Sequence, residues 1–430
     1  MELLNTKKIL KFWLPLAGTW LMMSLEGPFI AAIIARLVDP KFNLAAYGVA
    51  FSFALIVEAP VIMMMTASTS LVKDYKSLKK LRLYTWILNG IITVFMLILI
   101  IPQVFFFLTL DLIGLPENVA KLTHVGTIIL LPWPGAIGFR RFYQGVLIRN
   151  HATRRVAYGT VIRLFSMAST ALGLYIFTKL PGVYIGTAAL SAGVTMEAIS
   201  TRFMVRNILG RLKAAGDAVA EEPDSPLTFA FINKFYYPLA LTSMLTLGVH
   251  PLITFFIGKS NMALESLAVL PVVSSFVFLF RGVGLSYQEA AITMLGSGKE
   301  NDRVVYRFAA VLGLALASAL IITAITPLSR LWFSNVSGLS EELTGLALTP
   351  LLIMGLFPAS TVLISMQRAI LVKAGQTSPI THATIIEVLT IISVLYIGII
   401  HLSAIGVVAA ASAFLSGRLA ANTYLYFKTR

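Results

Sequence analysis

Twelve apolar runs, each long enough to cross a bilayer, take up nearly all of this chain. About twenty apolar residues of helix span the hydrocarbon layer. Such runs fall near 12–37, 44–70, 84–108, 122–147, 157–178 and 182–204, and again near 235–258, 264–294, 307–328, 346–366, 381–400 and 402–427. Composition agrees: of 430 residues, 57% are hydrophobic and only 12% charged, where soluble domains carry about 25% charge. One soluble core cannot hide that much apolar surface, whereas lipid accepts it. The expected fold class is an all-α integral membrane protein of about twelve transmembrane helices.

The charge that remains is sorted by side. Lys73, Lys76, Lys79, Lys80 and Arg82, then Arg140, Arg141, Arg149, Arg154 and Arg155, then Arg202, Arg206, Arg211 and Lys213 head a series on one side of the predicted spans. Lys299, Arg303, Arg307, Arg368, Lys373, Arg418 and Lys428 continue it. The opposite loops hold only Arg36, Lys41, Lys121, Lys179, Lys259 and Arg330. Basic residues collect in cytoplasmic loops, so both termini are expected in the cytoplasm, the protein being multi-pass in a plasma (inner) membrane. The net charge of +15 then needs no nucleic-acid partner. The first run lacks a small-x-small cleavage site and reads as a retained span rather than a signal peptide.

The two halves repeat each other. Phe12-Trp-Leu-Pro-Leu-Ala17 matches Phe235-Tyr-Tyr-Pro-Leu-Ala240, and Pro28 matches Pro251, at a spacing of 223 residues. Gly114 matches Gly338, Pro134 matches Pro358, Gly182 matches Gly406 and Gly193 matches Gly417, all at 224. Six spans per repeat, an even number, relate the halves in parallel around an axis along the membrane normal. The expected organisation is a six-helix bundle over 1–211, a polar, acidic linker over 212–227 and a second six-helix bundle over 228–430. Short turns at 179–182 and 401–403 predict tight hairpins for spans five and six and for spans eleven and twelve.

A charge deep in a span costs roughly 2.5–3.5 kcal/mol on insertion scales, so the deep ones carry the functional signal. Glu26, Glu58, Arg163, Arg281 and Glu387 fall well inside predicted spans, whereas Glu197 and Glu289 lie near a cytoplasmic end where solvation accounts for them. In the repeat register Glu58 falls on Arg281 and Arg163 on Glu387, so opposite charges occupy matching positions. Arginine stays charged and offers a planar fork of donors suited to phosphate or carboxylate. A carboxylate in a low-dielectric cavity suits proton carriage or sodium binding. The expected division gives substrate binding to Arg163, Arg281 and Glu58, and coupling or gating to Glu26, Glu58 and Glu387. Pairs that merely hold the bundle together are the structural alternative. Glu58-Ala-Pro60 sets a carboxylate beside a helix-bending proline, a candidate hinge. His124, His250, His382 and His401 show no metal-ligand spacing, and with no cysteine there are neither disulfides nor thiolate metal sites. No metal or cofactor is expected beyond a coupling proton or sodium ion. Neither a GxxxxGK[ST] loop nor HExxH occurs, so an enzyme is not expected.

Twelve spans in two parallel repeats around a cytoplasmic linker resemble the multidrug/oligosaccharidyl-lipid/polysaccharide (MOP) exporter superfamily, which includes the MATE exporters and the lipid-linked sugar flippases. Phe12-Trp-Leu-Pro-Leu-Ala-Gly18, Glu26, Ala46-Tyr-Gly-Val-Ala-Phe-Ser52, Tyr237-Pro-Leu-Ala-Leu241 and Phe357-Pro358 are similar to stretches of the progressive ankylosis (ANK) family, exporters associated with pyrophosphate and related anions. The resemblance implies an alternating-access exporter of an organic or phosphate-bearing anion, pyrophosphate- or citrate-like, acting as a monomer. Glu26 would correspond to the acidic residue that MATE exporters carry in span 1. Alternatives are a cation-coupled multidrug exporter using Glu26 and Glu58 as counter-charges, a lipid-linked oligosaccharide flippase, and, from another class, a membrane-embedded enzyme or scaffold without transport.

Overall fold

The computed structural model describes residues 5–150, 152–218, 227–295, 299–374, 376 and 378–429. Among the described residues, eleven helices are long and apolar enough to cross a membrane: α1 (Thr6–Ala35), α2 (Pro40–Glu58), α3 (Tyr75–Leu99), α4 (Glu117–Arg149), α5 (Arg154–Phe177), α6 (Gly182–Met204), α7 (Phe229–Gly258), α8 (Ala263–Met294), α9 (Glu300–Ile325), α10 (Glu341–Lys373) and α11 (Ser378–His401). A twelfth long helix, α12 (Gly406–Thr429), carries Arg418 and Asn422 and packs along α11. No strand occurs among the described residues, only an isolated bridge between Asn261 and Ile405. The chain is an all-α, multi-pass membrane protein.

Of the spans that begin or end elsewhere than the apolar runs suggest, two do so for a clear local reason. The run at 44–70 is interrupted: α2 ends at Glu58, a turn follows, and a short helix resumes at Met64–Leu71. Pro60 lacks the N–H that would carry the ladder through, and tighter bonds from Val61 to Glu58 and from Met64 to Val61 take over. α3 starts nine residues before the apolar run because Asp74 and Ser77 form a reciprocal cap, with the Ser77 N–H donating to Asp74 at 2.7 Å. A satisfied first turn extends helix through the lysines that counting apolar residues had excluded.

The chain clusters into two compact units. One comprises Met1–Gly48 with Leu252–Arg430, and the other Val49–Pro251. Within the first, α1 packs on α8, the Trp13 indole donating to Ser286 at 2.8 Å. α1 breaks at Leu25, between the segments Thr6–Ser24 and Glu26–Ala35. Pro28 leaves the Ser24 carbonyl without its ladder donor there. At the far end Arg36 donates to the carbonyls of Asn335 and Val336 at 2.6 and 2.8 Å, and Lys41 pairs with Glu265 at 2.6 Å. Of the segment expected as a linker, 212–218 is helical as part of Arg206–Ala218, within the second unit. Residues 219–226 of that segment, like residues 296–298, lie outside the described residues.

The sequence repeat is also a repeat of backbone geometry. Wide-turn helix at Phe107–Ile113 and at Leu331–Val336 precedes Gly114 and Gly338, both left-handed at φ 84° and 74°. A side chain resists that conformation, so glycine is required at both places. α5 packs on α6, and α11 on α12, as antiparallel hairpins. The matched glycines make each approach close. A Cβ on Gly193 would lie 3.1 Å from the Arg163 carbonyl, and one on Gly417 would lie 2.9 Å from the Glu387 carbonyl. Gly417→Ala therefore overpacks the α11–α12 hairpin and should destabilise the fold by about 1–3 kcal/mol. Thermal unfolding of the purified variant in detergent measures it, and an unchanged midpoint would refute the close-packing account.

Candidate functional site

Prolines place the aromatic residues around which the deep charges gather. α4 breaks after Ile129 and restarts at Pro132, and α10 breaks through a tight turn at Met354–Leu356 and restarts at Phe357. Proline suits the first helical turn because its missing N–H would be unsatisfied there anyway. Trp133 and Phe357, 224 residues apart in the sequence, thus both sit at the start of a mid-span helical segment. Each is buried.

In the unit formed by Val49–Pro251, Trp133, Arg140 and Gln144 share one face of α4 by helical spacing. The Trp133 indole N–H donates to Glu58 Oε2 at 2.5 Å. The Arg163 guanidinium, from α5, lies 6.0 Å from the centroid of the Trp133 ring. Arg140 forms an ion pair with Glu197 of α6, Gln144 donates to the second Glu197 oxygen at 3.0 Å, and Arg163 approaches Glu197 at 3.9 Å. Arg141 is within electrostatic reach of Glu58 and Glu197. Three arginines thus face two carboxylates. The Arg140–Glu197 pair is sealed, with side-chain exposures of 4% and 1%.

The other unit repeats these positions with the charges exchanged. Arg281 of α8, the counterpart of Glu58, lies over the Phe357 ring, its guanidinium 4.2 Å from the centroid. Arg418 of α12 flanks the same ring at 5.3 Å. Glu387 of α11 accepts from Arg418 Nε at 2.9 Å and Nη2 at 2.8 Å through a single oxygen. Arg368, on α10, lies within electrostatic reach of both Arg418 and Glu387. Gln367 and Asn422 tie α10 to α12, Gln367 donating to the Asn422 carbonyl and Asn422 to the Ser360 carbonyl, each at 2.9 Å. Here three arginines face one carboxylate.

The residues singled out in the sequence therefore fall into three places. Glu58 and Arg163 join one cluster, and Arg281 and Glu387 the other. Glu26 is buried in α1 with Tyr47 as an electrostatic neighbour. Glu387 takes its partner from α12 of its own unit, and Arg163 approaches Glu197 of its own unit. The assignment of Glu197 to a solvated helix end is corrected: it is the most enclosed of these carboxylates, held by Arg140 and Gln144. Glu289, by contrast, is exposed. Arg140, Arg141, Arg368 and Arg418, counted in the sequence only toward the basic side of the spans, lie inside α4, α10 and α12. Helical spacing from Trp133 and Phe357 was the signal that could have found Arg140, Arg141 and Arg368, whereas Arg418 sits on a different helix and carries no such signal. No group of three or more metal-ligating side chains occurs among the described residues. A groove of about 550 Å³ lined by Trp86, Asn89, Thr93, Phe139 and Ile199 contains none of the deep charges.

Helix order, broken spans and paired repeats define a MATE-type membrane fold, and solved structures agree. An inward-facing multidrug resistance MATE family transporter of the MOP superfamily superposes with a TM-score of 0.74 at 14% identity, over 96% of this chain and 94% of that one. The lipid II flippase MurJ, in an inward closed conformation, gives 0.70 at 15% identity, over 96% and 87%. A MOP superfamily transporter from Pyrococcus furiosus, described as having a binding pocket of reverse polarity that suggests a different function, gives 0.59 at 14% identity, over 99% and 98%. At such identities the likeness establishes the fold. Neither a family model nor a curated protein sequence matches the chain.

Glu197 anchors the first cluster, so Glu197→Ala leaves Arg140 buried without its counter-ion. Removing one partner of a buried pair costs about 3–5 kcal/mol. A matching fall in thermal stability, or loss of monodisperse protein in size-exclusion chromatography, is the expected result.

Proposed function

We propose that this protein is an alternating-access secondary transporter that moves an organic or phosphate-bearing anion, pyrophosphate- or citrate-like, outward across the membrane. The observation that carries the reading is the excess of arginine in the unit containing α8–α12. Three arginines share one carboxylate there, and Arg281 rests on an aromatic face instead of an acidic partner. A guanidinium held by a ring keeps its donor edge for a planar anion. A cationic drug would meet the wrong sign. The ANK-like stretches in both halves support the same substrate class, and the MATE-type fold supports transport rather than catalysis.

Arg281 and Arg163 are the proposed substrate-binding arginines. Glu26 and Glu58 are the proposed coupling groups, for protons or sodium, with Glu58 in both roles because the Trp133 N–H fixes it beside Arg163. The protein would act as a monomer, with both termini in the cytoplasm. A second reading, a flippase for a lipid-linked diphosphate, is favoured by the likeness to MurJ, since arginines also suit a diphosphate headgroup.

Proteoliposomes decide between them. Uptake of labelled pyrophosphate or citrate, dependent on a proton or sodium gradient and absent from empty liposomes, is the expected outcome. Arg281→Ala should reduce it to background while leaving the unfolding midpoint near that of the parent. Normal uptake by that variant would remove Arg281 from the site. Movement of a lipid-linked diphosphate without uptake of either soluble anion would favour the flippase.

A further inference from the structure

The two ion pairs of the clusters are built differently. Arg140–Glu197 is sealed at 4% and 1% exposure, and both Glu197 oxygens have donors. Arg418–Glu387 stands at 11% and 13%, and its contacts run through one oxygen, Oε1, onto Nε and Nη2. The first is fixed within the bundle. The second is less enclosed, and its Arg418 shares the Phe357 ring with Arg281.

We infer that Glu387 is a tethered competitor for the transported anion: it occupies the donor edge of Arg418 when the site is empty and yields that edge when substrate arrives. The inference rests on the anion-transport reading above and adds how the site is regulated. Arg281 and Arg418 flank one ring and Arg368 lies within electrostatic reach of Arg418, so like charges repel and an empty site needs a counter-charge. A fixed, sealed carboxylate would cancel the attraction for substrate. One held through a single oxygen at a less enclosed position neutralises Arg418 in the empty state and exchanges with an incoming carboxylate or phosphate oxygen. Arg281 and Phe357 stay in place as the seat on which the anion lands. The same exchange runs backwards on release, when Glu387 returns to Arg418 and lowers the affinity for the departing anion. Glu387 is thus a positioning residue for Arg418, set against substrate rather than touching it.

Glu387→Gln tests this, because the amide keeps the shape and removes the charge. The probes are inorganic pyrophosphate and citrate, in the proteoliposome assay with the full chain. The half-saturating concentration should fall at least fivefold, the low end of coupling between linked sites, while the maximal rate falls because release loses its competitor. A carboxylate that merely braces α11 against α12 would give the opposite result, with weaker binding after its loss. An unchanged or raised half-saturating concentration in folded Glu387→Gln therefore overturns the inference while leaving anion transport standing. If parental protein takes up neither probe under any gradient, the transport reading itself fails. Should Glu387→Gln not purify folded, Glu387→Asp takes its place. Its shorter reach loosens the pair, so it should also lower the half-saturating concentration, and no change there again overturns the inference.

Discussion

A charge inside a bundle of apolar helices persists only where a counter-charge, a hydrogen-bonding group or an aromatic face meets it, and that requirement organises this protein. Taking an ion out of water costs several kcal/mol even after the surroundings relax. Glu197 meets it with Arg140 and Gln144, Glu387 with Arg418, Glu58 with the Trp133 indole, and Arg281 with the face of Phe357. Each partnership fixes a helix–helix relation: α6 to α4, α12 to α11, α4 to α2, and α10 to α8. The polar clusters are therefore part of how each unit packs as well as what it can bind. Substitutions there will divide between loss of fold and loss of binding according to how completely each side chain is enclosed.

Prolines supply the second constraint. A continuous helix hydrogen-bonds every interior backbone group to itself, which suits the membrane but leaves side chains only the directions that a regular ladder allows. The breaks ahead of Pro132 and Pro358 restart the helix mid-span and start the new segment with an aromatic ring. The break after Glu58 ends α2 at the residue that the Trp133 indole contacts. Kinks that could be dismissed as ordinary bends are what bring the charged residues together.

Much of this was legible in the sequence, and the losses have physical causes. The apolar runs located the twelve long helices because lipid requires unbroken apolar length. The register of the repeat matched Gly114 to Gly338 and Gly193 to Gly417, where a left-handed turn or a close approach leaves no room for a side chain. The capped start of α3 was missed because a cap is a local hydrogen-bond pattern invisible to hydropathy. Arg140, Arg368 and Arg418 were missed for a deeper reason. The count of basic residues used to read sidedness treats every arginine it includes alike; helical spacing from an aromatic residue could separate Arg140 and Arg368 from true loop charges, but for Arg418 only tertiary contacts do so. Glu197 was misjudged because its place near a helix end suggested water, whereas Arg140 and Gln144 enclose it.

The exchange of charge between the repeats follows from the ring at positions 133 and 357. Tryptophan offers both a π face and an N–H donor, so it can serve a carboxylate at its edge and a guanidinium near its face together. Glu58 and Arg163 use it in those ways. Phenylalanine has no donor, so a carboxylate in the place of Arg281 would meet only the ring's negative face. A cation is the charge that Phe357 can hold, and two arginines flank it. One difference, indole against phenyl, thus selects the sign of the residue packed on it, acid in one half and base in the other. With the acid gone from that position, Glu387 is left as the one carboxylate facing the arginines of the second cluster among the described residues. Duplication supplied two equivalent frames, and the ring in each determined that only one carries a strong excess of positive charge.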